Sequence, residues 1–216
     1  MDNPQSMDAR YDEDYFINGK KSGKSLYENY RWLEELTVPM CGTIADHCGM
    51  EMHDHILDFG CARGYSVKAF SLLGYDAIGY DVSQWALANC DEAVRGKVSA
   101  VWPPEKPVDW IVAKDVLEHI SHDQVIQLVK QFFTIARKGV FVVVPLAGAS
   151  RSRYVVPEYE SDVTHCVRWP LNVWTDKFNI FLPHNWEVSA RYRINGIKDN
   201  YSQFEKGNGF ITCRKV

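Results

Sequence analysis

One short stretch limits the fold of this chain more than any other: Ile56-Leu57-Asp58-Phe59-Gly60-Cys61-Ala62-Arg63-Gly64-Tyr65. An apolar run ends near an acidic residue, a glycine-bearing turn follows, and helical spacing begins at once. About twenty residues beyond Gly60, a second apolar run, Ala77-Ile78-Gly79-Tyr80, closes on Asp81. Strand, glycine turn, helix and a second strand ending in a carboxylate make a site for an adenosine-containing ligand.

The same alternation continues along the chain. Strands are predicted at 55–60, 77–81, 97–101, 108–114 and 139–144, with helices at 64–73, 83–90 and 121–136 between them. Val140 to Val144 is apolar throughout, as expected of a central parallel strand covered on both faces. Repeated strand–helix units predict a doubly wound α/β sheet. Residues 31–49 carry a helical apolar pattern in Trp32, Leu33, Leu36, Met40 and Ile44. A short helix near 170–179 and two hairpin-like strands, 186–194 and 210–214, complete the prediction.

Composition narrows the function classes. The 216 residues are 46% hydrophobic and 24% charged, with a formal net charge of −4, which argues against a broad nucleic-acid surface. No apolar run reaches the roughly 18 residues of a membrane span, and the polar, acidic start Met1-Asp2-Asn3-Pro4-Gln5 is unlike a signal peptide. The six cysteines are scattered without a C-x-x-C pair, so reduced thiols and a cytoplasmic protein are expected.

Three nucleotide sites compete for the first turn. A dinucleotide fingerprint would place its third glycine at Tyr65, where the close packing of helix on strand leaves no room for a ring. Gly19-Lys20-Lys21-Ser22-Gly23-Lys24-Ser25 is one residue short of a phosphate loop and follows an acidic run instead of a strand, so it reads as a solvated basic loop. The third option needs an acidic strand end, glycines for close backbone approach and no diphosphate pocket. Asp58-Phe59-Gly60-Cys61-Ala62-Arg63-Gly64 meets it and resembles motif I of the class I S-adenosylmethionine-dependent methyltransferases. The resemblance extends through Gly79-Tyr80-Asp81-Val82-Ser83 and Lys114-Asp115-Val116-Leu117-Glu118-His119-Ile120, covering about residues 55–145. The Gly-Cys-Ala-Arg-Gly variant resembles small-molecule and glycan members of the superfamily. Its departure is Ala62 in place of the middle glycine, which is expected to hold a negative φ.

The resemblance implies a Rossmann-like, seven-stranded, mostly parallel sheet with a C-terminal antiparallel strand. It also implies cofactor contacts from Asp58, Gly60, Cys61, Ala62, Gly64, Asp81, Val82, Val101, Trp102 and Lys114. Asp81 would hold the ribose hydroxyls, and Val82 with Val101 or Trp102 would enclose the adenine. Asp115-x-x-Glu118-His119 with distal His165 resembles the metal centre of methyltransferases that act on ubiquinone precursors or on the terminal 2′-hydroxyl of small RNAs. If the segment is helical, Asp115, Glu118 and His119 share a face. A divalent Mn, Mg, Zn or Fe ion would bind there; without it, His119 or His165 is the natural general base.

Residues 1–49 are expected to form a tyrosine-rich lid and helical segment on a methyltransferase domain of 50–216, one globular domain overall. Arg151, Arg153, Tyr154, Tyr159 and Arg168 point to an anionic or sugar-like ligand, or to pairing with nearby acids. The expected activity is methyl transfer to an oxygen, less favourably a nitrogen, of a small molecule or glycan. RNA 2′-O-methylation and a non-catalytic cofactor-binding module are the alternatives.

Overall fold

The computed structural model describes residues 9–216; the start of the N-terminal segment, residues 1–8, lies outside the described residues. Two short helices, α1 (Glu13–Ile17) and α2 (Gly19–Ser22), precede a longer one, α3 (Glu34–Cys48). There follow β1 (His55–Phe59), α4 (Tyr65–Leu72), β2 (Asp76–Tyr80), α5 (Gln84–Ala88), β3 (Val98–Ser99), β4 (Val108–Lys114), α6 (His122–Ile135) and β5 (Ala136–Pro145). The chain ends with α7 (Leu171–Asn179), β6 (Trp186–Arg191) and β7 (Asn208–Lys215).

The seven strands form one sheet in the order β3-β2-β1-β4-β5-β7-β6. Neighbours from β3 through β5 pair in parallel, while β7 runs antiparallel between β5 and β6. The order reverses between β1 and β4, so the chain switches direction where the glycine turn leaves β1. In an open α/β sheet that is where ligands bind.

Helices cover both faces. On one, α6 turns Val125, Leu128, Val129 and Phe132 inward against β4 and β5, and α7 adds Trp174 and Phe178. On the other, α3 and α4 bury Ile44, Val67 and Phe70 against Ile56, Trp110 and Phe141. Val140 to Val144 are wholly buried, as strands covered on both sides must be.

Several boundaries differ from the sequence prediction. The buried stripe of α3 is Cys41, Ile44, Ala45 and Cys48, whereas Leu36 is exposed. The helix starts only at Glu34, after Trp32 and Leu33, and stops at Gly49, whose φ of 70° is left-handed. β3 is shorter than 97–101 because the Ser99 hydroxyl, not a neighbouring strand, takes the Val101 N–H at 3.0 Å. The basic loop at 19–25 contains α2 and is exposed over 20–23, as expected of a solvated loop, with Lys24 pairing at the surface with Asp12 at 2.8 Å and Asp14 at 3.2 Å.

Two stability predictions follow from how β1, β4 and β5 pack. A Cβ built on Gly139 of β5 would lie 2.0 Å from the Trp110 ring on β4. The indole sits in the core and has nowhere to go, so Gly139→Ala should cost about 1–3 kcal/mol in denaturant unfolding. Asp58 is buried in β1, and burial together with the charge of Asp81 pushes its carboxyl up to about 7, against the pull of Lys114. A carboxyl whose folded pKa is raised binds its proton more tightly folded than unfolded, so its ionisation removes stability as pH rises from about 4 to 7. Asp58→Asn should therefore gain melting temperature relative to wild type at pH 8 compared with pH 5; a pH-independent difference would contradict this.

Candidate active site

The glycine turn after β1 is shaped by its neighbours. Gly60 has φ of 82°, and a Cβ there would meet the Val116 side chain at 2.3 Å. Ala62 does not hold the expected negative φ: it sits at 48°, in the left-handed region. The reason is Asp81, whose Oδ2 accepts the Ala62 N–H at 2.7 Å. That charged hydrogen bond offsets the roughly 1–2 kcal/mol an L-residue loses there. Asp81 Oδ1 accepts the Ser83 N–H at 2.8 Å, and the Ser83 hydroxyl caps α5 by accepting the Ala86 N–H at 3.0 Å.

A cavity of about 470 Å³ opens at this point. Gly60, Ala62, Asp81, Val82 and Trp102 line it from the strand ends, and Asp115, Val116, His119 and Ile120 from the turn after β4. Gln124, Gln127, Leu128 and Gln131 of α6 form one wall, and Tyr11, Tyr15, Phe16 and Tyr27 of the N-terminal segment another. Trp102 is placed by packing and polarity together. Its ring meets Phe59 and Tyr80 at 4.8 and 5.1 Å between centroids, and its Nε1 donates to Gln131 Oε1 at 2.8 Å.

Other predicted contacts lie elsewhere. Val101 is 65% exposed and does not line the cavity, since the chain turns it outward after β3. Asp58, Cys61 and Gly64 sit behind the turn: Cys61 fills the space over Gly79, and Gly64 packs against Val94. Lys114 donates to Asp115 Oδ2 at 2.5 Å rather than lining the cavity. Arg168 pairs with Glu160 at 3.0 Å and lies over the Tyr154 ring, and neither it nor Arg151 or Arg153 lines the cavity. The arginines thus take the acid-pairing alternative where they are engaged.

After β4 the chain forms a 3-10 turn, Leu117–His119, not the helix expected for a shared face. Asp115 precedes it with φ of 56° and is paired with Lys114 and with Lys198, the latter at 2.8 Å. Against the cost of burial, those two ammonium groups hold Asp115 well below the usual carboxylate range. Of the predicted four-ligand set, Asp115 does not converge with the other three. Its position is explained by charge pairing with a lysine far along the chain.

The other three come together. The Glu118 carbonyl accepts N–H groups of Cys166 at 2.9 Å and Val167 at 3.0 Å, which brings His165 to the turn. Glu118 Oε1 lies 3.9 Å from both His119 Nε2 and His165 Nε2, and one ligand atom from each residue falls within 4.8 Å of the others. Hydrogen bonds orient both imidazoles. His165 Nδ1 faces the Tyr159 carbonyl at 2.9 Å; a carbonyl only accepts, so Nδ1 carries the proton. The Thr164 hydroxyl gives its proton to Asp162 Oδ1 and accepts from His119 Nδ1 at 2.7 Å. That leaves the lone pair of each ring on Nε2, with no hydrogen bond to it among the described residues. Burial, joined by the neighbouring His165, lowers His119 to about 3, and burial also lowers His165, so the protonated form of both rings is disfavoured. Burial and the charge of Asp115 raise Glu118 far above its ordinary value, and among the described residues its buried Oε2 has no hydrogen-bond partner. Tyr15, Asp162, Thr164 and Lys198 join this site without having been singled out as site residues. Tyr15 belongs to the tyrosine-rich segment expected as a lid, and the signal for Asp162 and Thr164 was the segment Ser161-Asp162-Val163-Thr164-His165 around the distal histidine.

Among the described residues no helix is long and apolar enough to cross a membrane. A search of curated proteins finds no significant match. Solved structures do match. A SAM-dependent methyltransferase from Archaeoglobus fulgidus superposes with a TM-score of 0.61 at 14% identity, covering 85% of this chain and 95% of that one. The 4+2 cyclase SpnF gives 0.67 at 13% identity over 99% and 97% of the two chains. The plantazolicin methyltransferase BpumL, solved with a desmethyl substrate analogue and S-adenosylhomocysteine, gives 0.60 at 13% identity over 84% of each. At these identities the likeness concerns the fold, and the cyclase shows that one fold serves more than one reaction. A family model described as a methyltransferase domain matches residues 35–190, and the chain belongs to that family.

Proposed function

We propose that this protein transfers the methyl group of S-adenosylmethionine to a hydroxyl oxygen of a small-molecule or glycan acceptor, assisted by a divalent ion. The observation that carries the metal reading is Glu118: a buried carboxyl group with an oxygen unpartnered among the described residues, facing the Nε2 atoms of two imidazoles. Buried polar atoms are almost always satisfied, and one carboxylate with two imidazoles is a donor set for Mn²⁺, Fe²⁺ or Zn²⁺, with Mg²⁺ less suited. Glu118, His119 and His165 would hold the ion, which lowers the pKa of a bound hydroxyl. Such help acts on an acidic O–H whose loss of a proton creates the nucleophile, which is why the reading names an oxygen acceptor.

The chain's own residues supply the rest. Asp81 lines the cavity and serves the ribose hydroxyls, each charge-assisted bond contributing about 1.5–3 kcal/mol. Gly60 lets the donor approach the backbone, and Val82 and Trp102 flank the adenine. Tyr11, Tyr15, Phe16 and Tyr27 wall the cavity as a lid that excludes water. Holding the acceptor oxygen in line with the sulfonium methyl supplies much of the rate, because geometry replaces an entropic search. A histidine lowered to about 3 is a poor general base near neutrality, so His119 acts here as a ligand.

Asp81→Ala should abolish measurable S-adenosylhomocysteine binding in calorimetry; unchanged affinity would overturn the cofactor assignment. Methyl transfer should be assayed over hydroxylated sugars, catechols and short RNAs, with and without chelator. Activity should fall at least about a hundredfold on chelation, return with Mn²⁺, and stay low in Glu118→Ala and His165→Ala. Full activity of both variants in chelator would sink the metal reading, and turnover of the RNA alone would move the acceptor to nucleic acid.

A further inference from the structure

Two parts of this site that are far apart in sequence share one run of hydrogen bonds. Tyr15 of α1 lines the cavity, and its hydroxyl donates to Asp162 Oδ2 at 2.8 Å. Asp162 Oδ1 accepts the Thr164 hydroxyl at 2.5 Å and the Thr164 N–H at 2.9 Å. Thr164 Oγ1 in turn accepts from His119 Nδ1 at 2.7 Å. Tyr15, Asp162 and Thr164 are 4%, 5% and 6% exposed, so the run is shielded from water while the segment is seated.

The N-terminal segment is tied down on both sides of the cavity. The Ser83 hydroxyl, two residues beyond Asp81, donates to the Tyr11 carbonyl at 2.5 Å. Across the cavity, Val163 N–H donates to the Lys24 carbonyl at 3.2 Å, and the Ser25 hydroxyl holds the Tyr15 carbonyl at 2.6 Å. One stretch of chain therefore bonds both to the strand end that carries Asp81 and to the loop that carries His165. The Tyr11 ring also stands edge-on to His119, 5.9 Å between centroids.

We propose that closure of residues 11–30 over the cavity and assembly of the Glu118–His119–His165 cluster are one event, transmitted through Tyr15, Asp162 and Thr164, so that a ligand in the cavity and a divalent ion in the cluster tighten each other's binding. This rests on the cavity being the S-adenosylmethionine site and the cluster a metal site. The physical reason lies in the partner of the non-ligating nitrogen, which sets the direction of an imidazole lone pair. When the segment lifts away, Asp162 loses Tyr15, Thr164 is released to turn, and His119 Nε2 is no longer aimed at Glu118. Linkage of this kind is reciprocal. Tyr15 and Thr164 act as positioning residues.

The test is calorimetric titration of the full chain with Mn²⁺ alone, with S-adenosylhomocysteine alone, and with each in the presence of saturating amounts of the other. In wild type each ligand should raise the affinity of the other about tenfold, by the same factor. Tyr15→Phe and Thr164→Val should bring that factor close to one while both ligands still bind singly; circular dichroism identifies a variant that fails to fold, and the other then decides. A wild-type factor near one, or a factor retained in a folded variant, overturns the proposal. If Mn²⁺ does not bind wild type but S-adenosylhomocysteine does, the metal reading has failed by itself. The coupling is then judged on the ring ¹⁵N resonances of His119, which S-adenosylhomocysteine must shift in wild type and leave unmoved in Tyr15→Phe. If S-adenosylhomocysteine does not bind at all, the cavity assignment and this proposal fall together.

Discussion

The Asp81 carboxylate ties together the switch point of the sheet. One oxygen takes the N–H of Ala62 in the turn after β1, and the other takes the N–H of Ser83 at the start of α5. The first bond holds Ala62 in a left-handed conformation that its own side chain disfavours, and so sets the path from β1 into α4. The second fixes Ser83, which caps α5 and binds the Tyr11 carbonyl. The turn, α5 and the N-terminal segment thus meet at one buried charge. That charge lies at the mouth of the cavity, where β1 and β4 part and the sheet provides a crevice.

A second constraint shapes the other end of the cavity. The Glu118 carbonyl, by accepting two N–H groups from 166–167, brings a distant loop against the turn after β4. That contact juxtaposes two imidazoles with a carboxylate whose charge burial disfavours. Asp115, a few residues earlier, escapes the same penalty because Lys114 and Lys198 compensate it. Of these two neighbouring acids in one turn, one is favoured in its charged form by its cations, while burial disfavours the charged form of the other. Under the function proposed above, an ion held by Glu118 and the two imidazoles would supply the missing compensation.

The fold was readable because its signals are local. The period of apolar residues in α6, the unbroken Val140–Val144 run and the glycine turn each depend on neighbours within a few positions. Errors clustered where distant contacts decide. Leu36 fits a helical stripe, yet the face of α3 that meets the sheet is the one with Cys41 and Cys48. Asp115, Glu118 and His119 have helical spacing, yet Asp115 is itself left-handed and only the other two lie in the 3-10 turn. Val101 and Trp102 are adjacent in sequence, but only the indole finds a partner, in Gln131 of α6.

Sequence alone determined the sheet class and the glycine turn with its acidic partner on the next strand, because hydrophobic period and turn chemistry are properties of short segments. The tertiary structure decided the conformation of Ala62, the capture of Asp115 by Lys198, and the convergence of Tyr15, Asp162 and Thr164 on His119. Each of those depends on a hydrogen bond or ion pair between groups many residues apart, in a place where burial makes an unmade bond costly. Residue spacing does not encode such pairings; they exist only once the sheet has brought its strand ends together.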